Sequence, residues 1–456
     1  MLRLTGESRI AQSGVALSCC VILAVLWHLL ASLQGAVLAL LPLLLVLALR
    51  APFILCLTFI AFSFFRLHEI FPVLSALHIP QLLAIAILFS LSCNIWLGRI
   101  KVFFSRELIL FSFFTLLVSI GAFMATNRQL ALDNLTGSFI KIAVMVLAIS
   151  WLLEKRSQFK ILIFTMLACG LITSSATLYN KINKLELVEG TRVTIGRSIG
   201  SMLGDPNDLA LVLLFPAGFC LALFFSRDIA SYIKYFALLI FICIFSAIIA
   251  TQSRGGLLGI TAVCGLFAWK KIQSKALIFV FISVLLIALV ALAGLDQRAS
   301  GAVNEMAIDD SAMGRIYAWQ AAFNMALDHP IAGVGLDNFI ANYFAYSAMW
   351  DGQNHAVHST WFGVLAETGI LGFSVFVSII YRLYRLSQQS LKYLENSLQD
   401  LGPYINVCAQ ATQAGLLSFC VSGSFLTMGF TWPIYILLAI SIGLAAYIKR
   451  QRLKEN

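Results

Sequence analysis

Apolar runs close to the length of a membrane-crossing helix follow one another along most of this chain. About twenty such residues span the hydrocarbon core, and inside it every backbone N–H and C=O must be paired within the segment, so runs of this length become helices. Candidate spans fall near 14–32, 34–49, 51–65, 80–97, 107–125, 134–154, 159–179, 206–226, 232–250, 254–269, 275–295, 359–381, 409–428 and 432–448. The second and third are short and divided by Arg50 and Pro52, so they form two spans or one shallow, partly re-entrant hairpin. The expected fold class is all-α: a polytopic integral membrane protein of about 12–14 transmembrane helices with a long helical loop on the outer side.

Composition supports this. Of 456 residues, 60% are hydrophobic and 11% charged, whereas a soluble domain carries about 25% charged residues. So few charges cannot cover a water-facing surface, which excludes a soluble enzyme, a disordered tail and a disulfide-rich secreted scaffold. A nucleic-acid binder would gather its cations on one domain. Here the net charge of +10 is spread through short loops, and no nucleic-acid partner is expected. The ten cysteines lie in or beside apolar stretches with no CxxC pair and no Cys/His metal spacing, as small residues packed between helices do. The first apolar run resembles a signal peptide, but further spans follow at once, so it reads as an uncleaved first helix.

Lysine and arginine bias sets the orientation. With the N-terminus inside, twenty-one of the 31 cations fall in inside segments, nine fall outside, and Lys141 lies within a span. Both termini are therefore expected in the cytoplasm. The chain reads as one membrane domain, 1–456, with two long outer loops, about 180–205 and about 296–358. In the larger loop Asp296, Glu305, Asp309, Asp310, Asp328, Asp337 and Asp351 oppose only Arg298 and Arg315. Segment 314–327 places Ile316, Trp319, Ala322, Phe323 and Ala326 on one helical face, suited to lie on the membrane, cap a cavity or pack on neighbours.

Cations kept on the outer side run against that bias and need a reason. Arg254 stands in Thr251-Gln252-Ser253-Arg254-Gly255-Gly256, at the outer edge of two spans. Glycines there permit close approach of another group. The guanidinium either grips a phosphate with its two-pronged fork or snorkels to anchor a helix end. Arg192 and Arg197 precede Gly204-Asp205-Pro206-Asn207-Asp208, which reads as a helix start with Asp205 as N-cap and Pro206 in the first position. Arg197, between Gly196 and Gly200, is a candidate ligand contact. Lys141, about two turns inside its span, faces a polar cavity or snorkels outward. His355 and His358 lie where the large loop re-enters the membrane, and a boundary histidine either accepts a proton near neutral pH or simply caps a helix. On a continuous helix His358, Leu365, Gly369 and Gly372 would share a stripe, with Glu367 on the opposite face in a buried structural role. No Walker motif, dinucleotide fingerprint, metal-ligand cluster or nucleophile elbow appears. No cofactor or metal is expected, so a reaction here would use an already activated substrate.

His358-Ser359, a nine-residue gap and Gly369-Ile370-Leu371-Gly372 resemble the signature of bacterial O-antigen ligases. Gly314-Arg315-Ile316-Tyr317-Ala318-Trp319, with Pro330 and Gly333-Val334-Gly335-Leu336-Asp337-Asn338-Phe339 downstream, resembles the external-loop motif of the wider O-antigen ligase and polymerase superfamily. Ser253-Arg254-Gly255-Gly256 is similar to the arginine motif that precedes that loop. The resemblance implies an inverting, metal-independent glycosyltransferase that takes a glycan from a polyprenyl (undecaprenyl) diphosphate on the periplasmic face of a bacterial inner membrane. A ligase passes it to a lipid A-core sugar in lipopolysaccharide biosynthesis, a polymerase to another lipid-linked glycan, and a protein O-oligosaccharyltransferase to Ser or Thr. It further implies Arg254 and Arg315 as diphosphate ligands, Arg197 as a weaker one, and His358 as catalytic base. The ligases have fewer spans than are counted here. The main reading from another class is a transporter of lipid-linked sugars, which would carry an inverted repeat and charges near the bilayer midplane; no repeat is visible.

Overall fold

The computed structural model describes residues 49–70, 74, 79–292, 306–350, 352–397 and 401–455. The two expected spans nearest the N-terminus, and residues 293–305 at the start of the large loop, lie outside the described residues. The described chain is helical, with one two-stranded antiparallel hairpin, Leu187–Val188 with Arg192–Val193. Fifteen helices follow in order: α1 (Pro52–Ser63), α2 (Leu67–Ile70), α3 (Ile79–Trp96), α4 (Arg106–Met124), α5 (Arg128–Leu152), α6 (Arg156–Ile182), α7 (Pro206–Phe224), α8 (Ser231–Thr251), α9 (Arg254–Lys271), α10 (Lys275–Leu292), α11 (Met306–Asp328), α12 (Phe339–Tyr346), α13 (Thr360–Asn396), α14 (Pro403–Gly423) and α15 (Trp432–Glu455). Eight of them (α3 to α8, α13 and α15) are long and apolar enough to cross a membrane. The eight described free cysteines lie buried or half-buried among the helices, as their apolar surroundings suggest.

The layering follows side-chain size. α14 is rich in Ala, Gly, Ser and Thr and packs against α7, α9, α13 and α15. Small residues let helix backbones approach where no water drives association. At α7 against α9 this is sharpest: a Cβ on Gly256 would lie 2.5 Å from the Ala210 side chain, and one on Gly259 would lie 2.4 Å from Leu214. The glycines after Arg254 thus admit a neighbouring helix. α5 passes through a π-helical turn at Leu135–Phe139, one residue before the buried helix that carries Lys141.

One expectation from the sequence is corrected and another narrowed. The stripe joining His358 to Gly369 and Gly372 does not exist. α13 begins at Thr360, His358 precedes it with φ of 46°, and Gly369 breaks the helix with φ of 67°. A Cβ on Gly369 would lie 2.5 Å from the Pro330 carbonyl oxygen, so the kink admits the 329–333 turn. Of the roles open to the Ile316 and Phe323 side of α11, packing on neighbouring helices is the one that falls away. Ala318, Ala321, Ala322, Met325 and Ala326 are buried and Trp319 is half-buried, whereas Ile316 and Phe323 are exposed. Alanines let α11 lie close on α13, with Trp319 stacked on Phe362 at 5.2 Å.

Candidate functional site

Arg254, Arg315 and His358 come from three separate stretches of chain, and the charge of Arg254 reaches Arg315 as that of Arg315 reaches His358. Arg254 opens α9. Gln252 ends α8 in a left-handed conformation, and Ser253 caps α9 by accepting from the Gly256 N–H at 3.1 Å. Arg192 braces this corner from within. Its Nε donates to the Thr251 carbonyl at 3.3 Å and its Nη2 to Asn207 Oδ1 at 3.0 Å, while Ser253 Oγ donates to the same oxygen at 2.8 Å. Arg192 is therefore a buried brace, and Arg254 is left exposed beside it.

Arg315 lies half-buried on α11. Loss of hydration, then the nearby positive charge of Arg254, push its guanidinium down from its ordinary value. Two cations held within electrostatic reach repel each other unless an anion lies between them.

His358 is held from both sides. The preceding Val357 carbonyl accepts from Trp319 Nε1 at 3.1 Å. Beyond it, Thr360 Oγ1 donates to the Leu426 carbonyl at 2.7 Å and accepts from the Met428 N–H at 3.1 Å. His358 is exposed, yet enough protein surrounds the ring to weaken hydration of an imidazolium. That desolvation lowers its pKa from the usual 6.5; Arg315 and His355 lower it further, and Asp205 opposes them. His355 itself packs its ring edge-to-face on Tyr343 at 5.5 Å.

The Gly333–Phe339 loop ties α13 to the turn before α5. The Val334 N–H donates to the Ala366 carbonyl at 2.9 Å, and Asn338 Oδ1 accepts from the Asn127 N–H at 2.7 Å and Thr126 Oγ1 at 3.0 Å. Glu367, fully buried, accepts from the backbone N–H groups of Asp337 at 2.9 Å and Phe339 at 3.4 Å. Its structural role is the one the sequence suggested.

Arg197 lies on the chain just before Asp205. It is exposed on the turn after the hairpin, and its Nη1 donates to the Gly204 carbonyl at 3.2 Å. The expected helix start is present, with Asp205 Oδ1 accepting from the Asn207 N–H at 2.7 Å. Sequence reasoning treated Asp205 only as a cap; its charge also acts on His358. Arg66, one of the nine cations expected outside, takes a structural place that the sequence does not assign. It sits in a left-handed corner, pairs with Glu69, which also accepts from Ser201, and its charge reaches Asp208 and Lys141. The one available signal was its place among the outer cations. A cleft of about 820 Å³ lies between the last turns of α6 and residues 185–199. None of Arg254, Arg315 and His358 lines it.

The fold and these cations define a multi-pass helical membrane protein with a polar site. Residues 237–377 match the family model Wzy_C, described as O-Antigen ligase, which bears out the resemblance to that superfamily. The matched stretch contains Arg254, Arg315 and His358 and excludes Arg197. No curated protein matches the chain.

Proposed function

We propose that the protein is an O-antigen ligase-like glycosyltransferase. It moves a glycan from a polyprenyl diphosphate to a lipid A-core sugar on the periplasmic face of the inner membrane, with both termini cytoplasmic. The observation that carries this reading is that two mutually repelling arginines lie within electrostatic reach of each other, and one of them of a histidine whose environment favours its neutral form. A lipid diphosphate is the anion such a pair of guanidiniums suits, because its charge grows on the bridging oxygen as the glycosidic bond breaks. A fixed donor aimed at developing charge is commonly worth about 3–4 kcal/mol in a partly dry site.

The step balances as one displacement. The acceptor hydroxyl oxygen attacks the anomeric carbon from the face opposite the diphosphate. Its proton passes to the neutral imidazole of His358, the bond from carbon to phosphate oxygen breaks, and polyprenyl diphosphate leaves against Arg254 and Arg315. A single in-line displacement inverts the anomeric centre. A positioned base contributes roughly 10²–10⁴-fold. Asp205 limits how far His358 is depressed and so keeps it basic.

The test is a surface-glycan gel from a strain lacking the protein. Loss of long chains from lipid A-core, with lipid-linked polymer accumulating, supports ligation. Chains of a single repeat mean that the chain is a polymerase using the same donor. An unchanged gel would overturn both readings and return the question to transport.

A further inference from the structure

A second basic site lies at the opposite end of the bundle. α4 runs from Arg106 to Met124, about 28 Å at 1.5 Å per residue, and its far end meets Gly335 at the His358 end. Around its first turn a cavity of about 730 Å³ opens between α4, the middle of α13 and the last turns of α15. Lys101, Arg106, Arg382, Lys449 and Arg450 line it, against one acid, Glu107. Arg382 is held by Glu107 through Nε at 3.1 Å and Nη2 at 2.6 Å. Arg450 donates to the Leu153 carbonyl at 2.9 Å and lies 3.6 Å from Glu154. Lys101, Arg106 and Lys449 make no salt bridge among the described residues, and all three are exposed. Loop cations that only set topology have no reason to meet around one concavity.

Apart from Ser105 and Gln389 the rest of the lining is apolar, and parts of it are open. Phe104 is 64% exposed and Leu453 67%, both on the walls that carry the cations. A free phosphate would use the charges and leave this surface bare. A glycerophospholipid uses both, since its headgroup meets the cations while its acyl chains cover the rings. Basic pockets between helices at a membrane face suit anionic headgroups, and the long cationic stems can lie along the chains.

We propose that this cavity binds an anionic glycerophospholipid, phosphate towards Lys101, Arg106 and Lys449 and acyl chains over Phe104 and Leu453. This does not depend on the reading of the His358 end. The test uses the full-length protein in mild detergent, titrated with dioleoylphosphatidylglycerol, dioleoylphosphatidylcholine or inorganic phosphate, with bound lipid counted by native mass spectrometry. Phosphatidylglycerol should bind at least tenfold more tightly than phosphatidylcholine. Each cation near an anionic headgroup is worth about fivefold, so combining Lys101→Gln, Arg106→Gln and Lys449→Gln should remove that preference. A control combining Arg227→Gln, Lys234→Gln and Lys392→Gln deletes as many cations outside the cavity and should retain it. Equal binding of the two lipids, an unchanged preference in the cavity variant, an equal loss in the control, or displacement of the lipid by inorganic phosphate would each overturn the proposal.

Discussion

Glu367 accepts the Asp337 backbone N–H at 2.9 Å across thirty positions of chain, joining the Gly333–Phe339 loop to the helix that follows His358. The carboxylate is buried and shared with the Phe339 N–H, so its loss leaves two buried donors without their acceptor. An orphaned donor costs roughly 1–3 kcal/mol. Glu367→Ala should therefore lower the melting temperature and the folded yield in detergent by an amount consistent with about 2–5 kcal/mol. Glu367→Gln, which keeps one acceptor oxygen, should fall between Glu367→Ala and the parent. Thermal melting monitored by tryptophan fluorescence checks this, and an unshifted Glu367→Ala would remove Glu367 from the framework of the site.

Much of this arrangement was legible in advance. Hydropathy marks eight of the expected spans, because a membrane demands about twenty apolar residues whatever their order; the segments expected at 51–65, 254–269, 275–295 and 409–428 fold as helices outside that set. Arg254 and His358 can be singled out from the sequence because each sits in a short motif at the end of a span, and Arg315 because it sits in one within the large loop. What stayed hidden depends on contacts between distant segments. The kink at Gly369 exists because the Pro330 carbonyl presses into it, and no local pattern around Gly369 carries that information. The buried side of α11 was not evident because it is made largely of alanines, while the larger Ile316 and Phe323 turn outward. Arg192 and Arg197, five positions apart in one loop, look alike in sequence; only the fold makes one a buried brace and the other an exposed turn residue.

The two arginines should not tolerate lysine. A guanidinium offers a planar fork of donors, and an ammonium is a point charge on a flexible stem. Arg254→Lys and Arg315→Lys should each reduce glycan transfer nearly as far as the alanine variants, by roughly 10²–10³-fold, the range found when one oxyanion donor is lost. Folding should be unaffected, since Arg254 is exposed and Arg315 only half-buried. Transfer assayed at matched protein levels decides it; near-normal rates in both lysine variants would reduce the pair to generic positive charge.

His358→Ala should abolish transfer while the protein remains folded. The ring supports little packing, and the backbone on either side of it is fixed by Trp319 and Thr360. Lipid-linked donor should still bind, because the arginines are intact. His355→Ala is the internal control. His355 packs on Tyr343, so this change should reduce stability and leave a measurable rate. Donor binding and transfer measured side by side separate the two, and the assignment of the base fails if His355→Ala is the dead variant.

The pH dependence can be worked out from the charges around His358. As base it must be neutral, so activity is present above its pKa and lost as pH falls through it. Desolvation, Arg315 and His355 depress that pKa and Asp205 raises it, so the acid limb of the transfer profile should lie below the unperturbed value of about 6.5. Asp205→Asn removes the one raising charge named here and keeps a side chain that caps α7 nearly as well. Its acid limb should therefore move further down, to lower pH. His355→Gln removes a depressing charge, and its limb should move up. Opposite shifts from two neutral substitutions cannot come from a general loss of stability, which would lower both profiles without moving their midpoints in different directions. Profiles of kcat/KM against pH for the parent and both variants give the answer. Limbs that coincide, or that move in the reverse order, would show that the group titrating in the profile is not His358.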